Sequence, residues 1–374
     1  MFIQKMNKNY HSFFTLNIFI LVFIYLKINI IQIIKFFAFL FVFPFLFLIL
    51  FFGCVYFFIT ISELIFYKKI PISIEKIGNK IKISKFTNIK QLNIYALITS
   101  ISIFPSGKFI LVAEKMILIF DINCNIIQII PNAHNNIISY VCIKDEKKFS
   151  TCSYKNIKIW FKKDNKFVIF HNIIKAHNSG INKLIYNLKG NLYSCSDDFT
   201  IKIWEENKIT CKYQSITSIV NNYSIASIYL IYDKNIMITS GENGTIFFNL
   251  HNNNYITSIK EAKCDWWNSI NRLNEDQIII GGYDNFIRII SISQKKIIST
   301  IDNKYRCHGI YLIKEKGIFL TEENKTIKIY RCDNFKLISN CNYAHEDWIY
   351  GFIGLKDGTI ASYSRDGVIK IWQF

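Results

Sequence analysis

The chain has 374 residues, a formal net charge of +18 and 51% hydrophobic residues. This length allows two small domains, or one large repeat domain with an appendage. A positive charge of this size would fit a nucleic-acid partner, but only five of the 45 basic residues are arginine, and lysine is spread along the whole chain. The composition therefore argues against a nucleic-acid-binding protein, although the excess charge can assist weak attraction to an anionic bilayer.

The N-terminal region contains a strongly hydrophobic segment. Residues 36–61 are 26 consecutive residues without a charge, whereas about 20 suffice to cross a bilayer. No small-residue cleavage site of a signal peptide follows it. A weaker apolar stretch, residues 13–34, is interrupted by Lys27. Residues 1–71 are therefore predicted to be a membrane anchor with an N-terminal transmembrane α-helix, and both one span and two spans stay open.

The flanking lysines predict the orientation of this anchor. Four lysines follow the strong span within about 20 residues, namely Lys68, Lys69, Lys76 and Lys80, against Lys27 and Lys35 before it. Cytoplasmic flanks carry the excess of basic residues, so the downstream domain is expected to face the cytoplasm. The ten cysteines form no Cys-x-x-Cys pair, which favours reduced, buried thiols over a zinc site and agrees with that compartment.

A repeated phrase of alternating apolar residues, usually closed by an aromatic residue, runs through the rest of the chain. It reads Ile-Lys-Ile-Trp at residues 157–160, 201–204 and 369–372, and Ile-Lys-Ile-Tyr at 327–330. With three weaker copies, the closing positions are 120, 160, 204, 249, 290, 330 and 372, about 40 residues apart. Each unit holds several short β-branched runs separated by turn residues, which is typical of four strands. In the third unit these are residues 181–186, 192–196, 200–204 and 208–213.

These units resemble WD repeats of the G-beta type. Three of them open with an Ala-His dipeptide that is similar to the family's Gly-His, at His134, His177 and His345. The family's turn aspartate, six residues before the closing position, appears as Asp198, Asp284 and Asp366. Other units depart from it, with Glu114, Tyr154, Asn243 and Asn324 at that position. The resemblance implies an all-β, seven-bladed β-propeller over residues 72–374.

The resemblance also assigns structural roles to two sets of polar residues. In the third and seventh units these sets would form buried hydrogen-bonded networks that tie the loop leading into a blade to its strands. The sets are His177, Ser196, Asp198 and Trp204, and His345, Ser364, Asp366 and Trp372. Because Tyr154 replaces the aspartate in the second unit, its network is expected to be incomplete.

The seventh unit ends one strand short, since the chain stops at Phe374 just after the third strand. An exposed sheet edge would result unless another segment paired with it. The alternating residues 80–86, Lys-Ile-Lys-Ile-Ser-Lys-Phe, precede the first full unit. These residues are expected to supply the missing strand and close the ring, as in the family.

No phosphate-binding loop, nucleophile elbow, zinc-protease helix or dinucleotide fingerprint is present in the sequence. We therefore expect no enzymatic activity, no cofactor, no metal and no small-molecule substrate. Rim residues of the types that dominate protein interfaces are the candidates for partner binding, although the tryptophans could instead pack between blades. These candidates are Trp266, Trp267, Tyr283, Trp348, Tyr350 and Arg365.

The sequence thus favours a membrane-anchored WD-repeat scaffold that binds a protein or peptide, with the lipid bilayer contacted by the N-terminal helix. Two alternatives stay open. The propeller could regulate a transport or channel component formed by oligomerised N-terminal helices, although the strong span has no polar residues to line a pathway. Alternatively, the N-terminal segment could be an error of gene prediction, which would leave a soluble scaffold.

Overall fold

The computed structural model describes residues 74–77, 80–83, 86–207, 209–210, 212–263, 270–282 and 284–373. The chain divides into two units, Met1–Ile70 and Pro71–Phe374, and the described residues all belong to the second. Within these residues, no helix has the length and apolar character that a membrane crossing requires. The predicted spans 13–34 and 36–61 lie outside the described residues, so the anchor stays a prediction.

The second unit contains seven antiparallel four-stranded sheets, the blades of a propeller. Before them, β1 (Ile74–Ile77) and β2 (Lys80–Ile83) pair only with each other, and β3 (Thr87–Asn93) follows. The strands of the first three blades are as follows. Blade 1 contains β4 (Ile98–Ile103), β5 (Phe109–Ala113), β6 (Met116–Phe120) and β7 (Ile126–Ile130); blade 2 contains β8 (Tyr140–Ile143), β9 (Lys148–Ser153), β10 (Asn156–Lys163) and β11 (Lys166–Ile173); blade 3 contains β12 (Ile181–Tyr186), β13 (Leu192–Ser196), β14 (Thr200–Glu206) and β15 (Tyr213–Val220).

The next three blades repeat this order, and the seventh takes its fourth strand from the start of the propeller. Blade 4 contains β16 (Ser227–Ile231), β17 (Ile236–Gly241), β18 (Gly244–Asn249) and β19 (Tyr255–Ile259); blade 5 contains β20 (Ile270–Arg272), β21 (Gln277–Gly281), β22 (Phe286–Ser291) and β23 (Lys296–Asp302); blade 6 contains β24 (Ile310–Ile313), β25 (Ile318–Glu323), β26 (Thr326–Arg331) and β27 (Leu337–Cys341), with a 3-10 turn at Lys314–Lys316; blade 7 contains β28 (Ile349–Gly354), β29 (Ile360–Ser364), β30 (Val368–Gln373) and β3.

The blades form a closed ring, because the first strand of every blade contacts the first strands of both neighbouring blades, including β28 against β4. Hydrogen bonds also join these inner strands and the loop residues that lead into them. The Thr99 hydroxyl donates to the carbonyl of Ile138 at 2.6 Å, and the Ser139 hydroxyl to that of Ile181 at 2.7 Å. Buried apolar side chains pack between adjacent blades; one such cluster contains Ile101 and Phe109 of blade 1 with Ile371 of blade 7. The ring is therefore held by apolar packing supplemented by polar links around its centre.

The seven predicted units and their four-stranded character are confirmed, but the closing strand was assigned one strand too early. Residues 87–93 pair with β30, whereas residues 80–83, inside the predicted closing segment, belong to the separate β1–β2 hairpin. The alternation of Lys and Ile at 80–83 suits any edge strand, so the pattern could not choose between the two segments. The fourth strand of blade 3 was also misplaced, because it runs through residues 213–220 rather than 208–213.

A β-bulge marks the closing position of the repeat. In blades 1 to 6, the pairing of the third strand with the fourth shifts by one residue immediately before that position, for example between Ile203 and Trp204. In blade 4 the shift falls between Phe247 and Phe248. The closing residue of that blade is therefore Phe248, and the prediction of Asn249 was wrong by one residue. Phe248 is aromatic, like most closing residues of the repeat.

The antiparallel order gives the ring two different ends. Loops that lead into a blade and turns between its second and third strands lie at the same end, which we call the top end. Turns between the first and second strands, and between the third and fourth, lie at the bottom end. Residues far apart in sequence, such as His177 before β12 and Asp198 after β13, consequently meet at the top end.

Candidate functional site

A buried hydrogen-bonded network ties the top end of blade 3. Nδ1 of His177 lies 2.9 Å from the Asp198 carboxylate, and Nε2 lies 2.7 Å from the Ser194 hydroxyl. The indole N–H of Trp204 donates to the same hydroxyl oxygen at 2.8 Å. Because the Asp198 carboxylate faces Nδ1, the neutral imidazole carries its proton on Nδ1, and Nε2 accepts a hydrogen bond from the Ser194 hydroxyl. One imidazole thus joins the leading loop, the turn and two strands.

The structure brings His177, Asp198 and Trp204 together, but the serine between histidine and tryptophan is Ser194 rather than Ser196. Ser196 binds beside them, where its hydroxyl donates to the Gly180 carbonyl at 2.7 Å and accepts from the Asp198 amide at 3.1 Å. Both serines point to the same face of β13 because they are two residues apart. His177 contacts Ser194 because its Nε2 lies on the side of the imidazole ring away from Asp198. The spacing of the two serines in the sequence does not show which of them is contacted.

Blade 7 repeats this network almost atom for atom. His345 contacts Asp366 through Nδ1 at 3.0 Å and Ser362 through Nε2 at 2.7 Å. Trp372 donates its indole N–H to the Ser362 hydroxyl at 2.8 Å. Ser364, the predicted member, instead donates to the Asp347 carbonyl at 3.1 Å. The role predicted for one serine is therefore divided between two serines in both blades.

Blade 2 has the inner half of the network without the carboxylate. His134 Nε2 and the Trp160 indole N–H both lie 2.8 Å from the Thr151 hydroxyl. Tyr154, at the position of Asp198, is exposed and has a φ of +51°, a left-handed conformation that is uncommon for such a residue. The histidine of blade 2 is thus anchored to its strands but not, through an aspartate, to its turn.

The presence of the turn aspartate follows the length of the turn. In blades 3, 5 and 7 five residues separate the last paired residues of the second and third strands, as between Cys195 and Ile201. In blades 1, 2, 4 and 6 only two residues do so, as between Ser153 and Asn156. The longer turn lets Asp198 fold back and accept from the Thr200 amide at 3.0 Å and the Asn178 amide at 2.8 Å. The four departures noted in the sequence therefore mark a different turn geometry.

Blade 6 ties its leading loop with a carboxylate that the sequence analysis missed. Glu322 is fully buried, and its Oε1 accepts hydrogen bonds from the amides of His308 and Gly309, the latter at 3.1 Å. Burial raises the pKa of Glu322, and the contacts with His308 oppose that shift. Glu322 lies eight residues before Tyr330, as Ser196 lies eight before Trp204. This shared spacing was the signal that could have identified it.

The predicted partner-binding residues are partly placed by the structure. Trp266, Trp267 and Tyr283 lie outside the described residues. Trp348 and Tyr350 lie beside His308, with ring centroids 5.3 and 5.8 Å from its imidazole. Both pack against the cluster between blades 7 and 1, Tyr350 buried and Trp348 half-buried. Trp348 therefore has a packing role together with a partly open surface.

Arg365 is the exposed member of this group. Its Nε lies 3.8 Å from Asp347, and its amide donates to the Trp348 carbonyl at 2.8 Å. The turn that carries it continues to Gly367, whose φ of +74° lets its carbonyl accept from the Ile94 amide at 2.8 Å. Arg365 is thus presented from a turn that is bound on both sides.

Exposed aromatic side chains are concentrated at the top end. Of the eight exposed Phe and Tyr side chains among the described residues, five lie in leading loops or in turns between second and third strands, and Phe286 is the first residue of β22, directly after such a turn. These six are Tyr95, Tyr154, Phe199, Phe286, Tyr305 and Tyr343. Sequence reasoning selected none of them as a binding residue, because their exposure follows from their place in loops and turns, which is known only once the strands are assigned. Aromatic residues of this kind dominate binding hot spots, so the top end is the candidate interaction surface.

Comparisons with known proteins agree with this architecture. A family model described as "WD domain, G-beta repeat" matches residues 169–205, which include His177, Asp198 and Trp204. Apoptotic protease-activating factor 1 from mouse is 21% identical over 278 residues, 71% of this chain. The same factor from human is 20% identical over 281 residues, again 71% of this chain. The chain spans only 21% of the length of these relatives.

The model matches within blade 3, the blade with a complete His177 network, and all seven blades repeat its order of strands. These findings support the WD-repeat propeller family. Among the described residues of the propeller, no group of three or more His, Cys, Asp or Glu side chains is arranged to hold a metal ion. The polar networks at the top end are accounted for by their structural hydrogen bonds.

Burial changes the protonation of the network residues. Burial lowers the pKa of His177 to about 4, although the carboxylate of Asp198 opposes the shift, and it lowers that of His134 to about 3. Burial also acts to raise the pKa of Asp198, but hydrogen bonds from Thr200 and Asn178 and the proximity of His177 bring it down to about 2. At neutral pH the histidines are therefore neutral and the aspartate is ionised.

These shifts predict that the propeller loses stability in mild acid. A buried neutral histidine takes up its proton near pH 6.5 when unfolded but only near pH 4 in the fold, so protonation favours unfolding between these values. The thermal midpoint is expected to fall from pH 7 to pH 4.5. The fall should be shallower in His177→Asn, compared with His251→Asn in an exposed bottom turn. Equal slopes in the two variants would contradict this assignment.

Proposed function

We propose that the chain is a scaffold whose WD-repeat propeller binds protein partners at its top end. The observation that supports this proposal is the concentration of exposed aromatic side chains there. Two of them, Phe199 and Tyr343, lie in a turn and a loop that the networks of blades 3 and 7 hold in place. Rigid loops bind with less loss of conformational entropy than mobile ones, because less freedom remains to be lost. Apoptotic protease-activating factor 1, whose name describes an action on another protein, is in keeping with this proposal.

Paired variants of the full chain test this proposal. Tyr95→Ala with Arg365→Ala removes two exposed side chains from the top end between blades 7 and 1. Leu188→Ala with Lys189→Ala removes an apolar and a cationic side chain from an exposed bottom turn, as a matched control. Proteins cross-linked to each variant in cells are compared by quantitative mass spectrometry. A set of partners that is lost in the top variant and kept in the control supports the proposal, and an unchanged set contradicts it.

The scaffold is further proposed to be anchored in a membrane by its N-terminal segment. The 26 uncharged residues 36–61 support this proposal, since they exceed the length that a bilayer requires. The full chain is therefore expected to stay in the pellet when membranes are washed with alkaline carbonate, which strips proteins held by surface charge. Replacing Phe45, Leu48 and Leu50 by Lys should release it. A full chain that appears in the supernatant would contradict the anchor.

The propeller is proposed to face the cytoplasm, on the basis of the four lysines that follow the strong span. Three acceptor triplets for N-glycosylation report on the opposite orientation, at Asn222, Asn243 and Asn324. Asn222 and Asn243 are exposed, so a lumenal propeller would carry glycans there. We expect no mobility shift on glycosidase treatment. A shift that Asn222→Gln and Asn243→Gln abolish would reverse the orientation.

A further inference from the structure

The outer edge of blade 1 is unusually apolar. Its edge strand β7 has the sequence Ile-Ile-Gln-Ile-Ile, and Ile126, Ile127 and Ile129 are 48%, 52% and 55% exposed. No strand pairs with its free edge among the described residues. Exposed edges of this kind normally carry charges or prolines that prevent pairing with another chain. The free edge of β7 has neither within its five residues.

The other outer strands do not share this character. β3, β11 and β23 each contain at least one lysine, and β15, β19 and β27 each contain at least two Ser, Thr or Asn side chains. Around β7 the absence of charge extends further, since residues 122–143 contain no Asp, Glu, Lys or Arg in a chain with 19% charged residues. The stretches around β15 and β19, residues 213–232 and 243–259, are also uncharged, but each of these strands exposes only one isoleucine, Ile216 or Ile256. Among the blades described, blade 1 therefore presents the outer edge with the most exposed isoleucines in an uncharged surrounding sequence.

This apolar edge continues onto blade 2. The Gln128 side chain donates to the Phe167 carbonyl at 2.9 Å and accepts from the Phe167 amide at 2.8 Å, which joins β7 to β11. Val168 and Ile169, the next residues of β11, are also about half exposed. Two neighbouring outer strands are thus fixed together as one surface of exposed aliphatic side chains.

We propose that this surface pairs with the same surface of a second copy of the chain, with β7 strands antiparallel across a twofold axis at Gln128. The sequence of β7 reads identically in both directions, so an antiparallel pair places Ile127 opposite Ile129 of the second copy. Each strand is its own complement in both shape and charge, as an isologous interface requires. No like charges meet, because residues 122–143 carry none. The proposal is independent of partner binding at the top end.

The register makes the proposal testable by cross-linking. Residues at the axis of an antiparallel pair have Cα atoms about 5 Å apart, a distance that a disulfide bond spans. Gln128→Cys should therefore give a disulfide-linked dimer of the full chain under mild oxidation in membranes. Ile126→Cys serves as the control, since four residues of strand separate it from its symmetry mate, about 13 Å. A dimer from Ile126→Cys that equals the one from Gln128→Cys, or no dimer from either, would overturn the register.

A second measurement leaves the native cysteines and Gln128 unchanged. Ile127→Lys with Ile129→Lys places like charges opposite each other across the axis, and Ile298→Lys adds a lysine to the outer strand of blade 5 as the control. The mass of the detergent-solubilised full chain is measured by light scattering. A dimer in the wild type and in the control, with monomer in the double variant, is expected. A monomeric wild type, or a dimer in all three, overturns the proposal.

Discussion

Deletion of residues 87–93 from the full chain is expected to lower the thermal unfolding midpoint by about 10 °C or more. These residues form β3, the fourth strand of blade 7, and pair with Val368–Gln373. Leu92 also packs against the apolar cluster between blades 7 and 1. Loss of the strand opens the ring and exposes the β30 edge. A loss of roughly 5 kcal/mol corresponds to a shift of this size in a domain of a few hundred residues.

The matched control is deletion of residues 74–83, which removes the β1–β2 hairpin but leaves the ring closed. That variant should unfold within about 2 °C of the wild type. The two deletions also discriminate between the two assignments of the closing strand, because the pattern in the sequence favoured residues 80–86. Destabilisation by the 74–83 deletion alone would show that the sequence assignment was correct.

Trp204→Ala is expected to destabilise the propeller by about 3–5 kcal/mol, the usual range for removal of a buried tryptophan. Trp204 packs in the core between blades 2 and 3, and its indole N–H donates to Ser194. The variant leaves a cavity and removes one donor from the His177 network. Trp204→Phe should lose less, because the ring remains while the donor is absent.

Denaturant unfolding of the full chain measures this effect, with Tyr154→Ala as the control. Tyr154 is exposed and lies in the short turn of blade 2, so its truncation should change stability by less than about 1 kcal/mol. Equal destabilisation by Trp204→Ala and Tyr154→Ala would contradict the central place of the network in blade 3.

Periodicity predicts the number of blades correctly, because each blade repeats one pattern of buried and exposed positions. It fails where two segments carry the same pattern. Residues 80–83 and 87–93 both suit an edge strand, and only pairing with β30 distinguishes them. In the same way, Ser194 and Ser196 share one face of β13, so the hydrogen-bond partner depends on imidazole geometry. Sequence patterns fix which face a residue takes but not which neighbour it contacts.

The candidate surface was predicted less well than the fold. Arg365 and Trp348 were selected by residue type, whereas Tyr95 and Tyr343 were not, although both are more than 80% exposed. Their exposure follows from their place in leading loops, which is known only once the blades are assigned. The structure also explains the turn aspartates, because an aspartate is present in the five-residue turns and absent from the two-residue turns.

Site-specific photo-cross-linking tests the proposed docking role of the top end most directly. A photoreactive amino acid is placed in the full chain at Tyr343, which is 82% exposed at the top end, or at Leu188, which is 81% exposed at the bottom end. Because the two positions are equally exposed, a difference between their adducts cannot be due to accessibility. Discrete protein adducts from position 343 and none from position 188 are predicted. Adducts from position 188 alone, or equally from both positions, would contradict the proposal that partners bind at the top end.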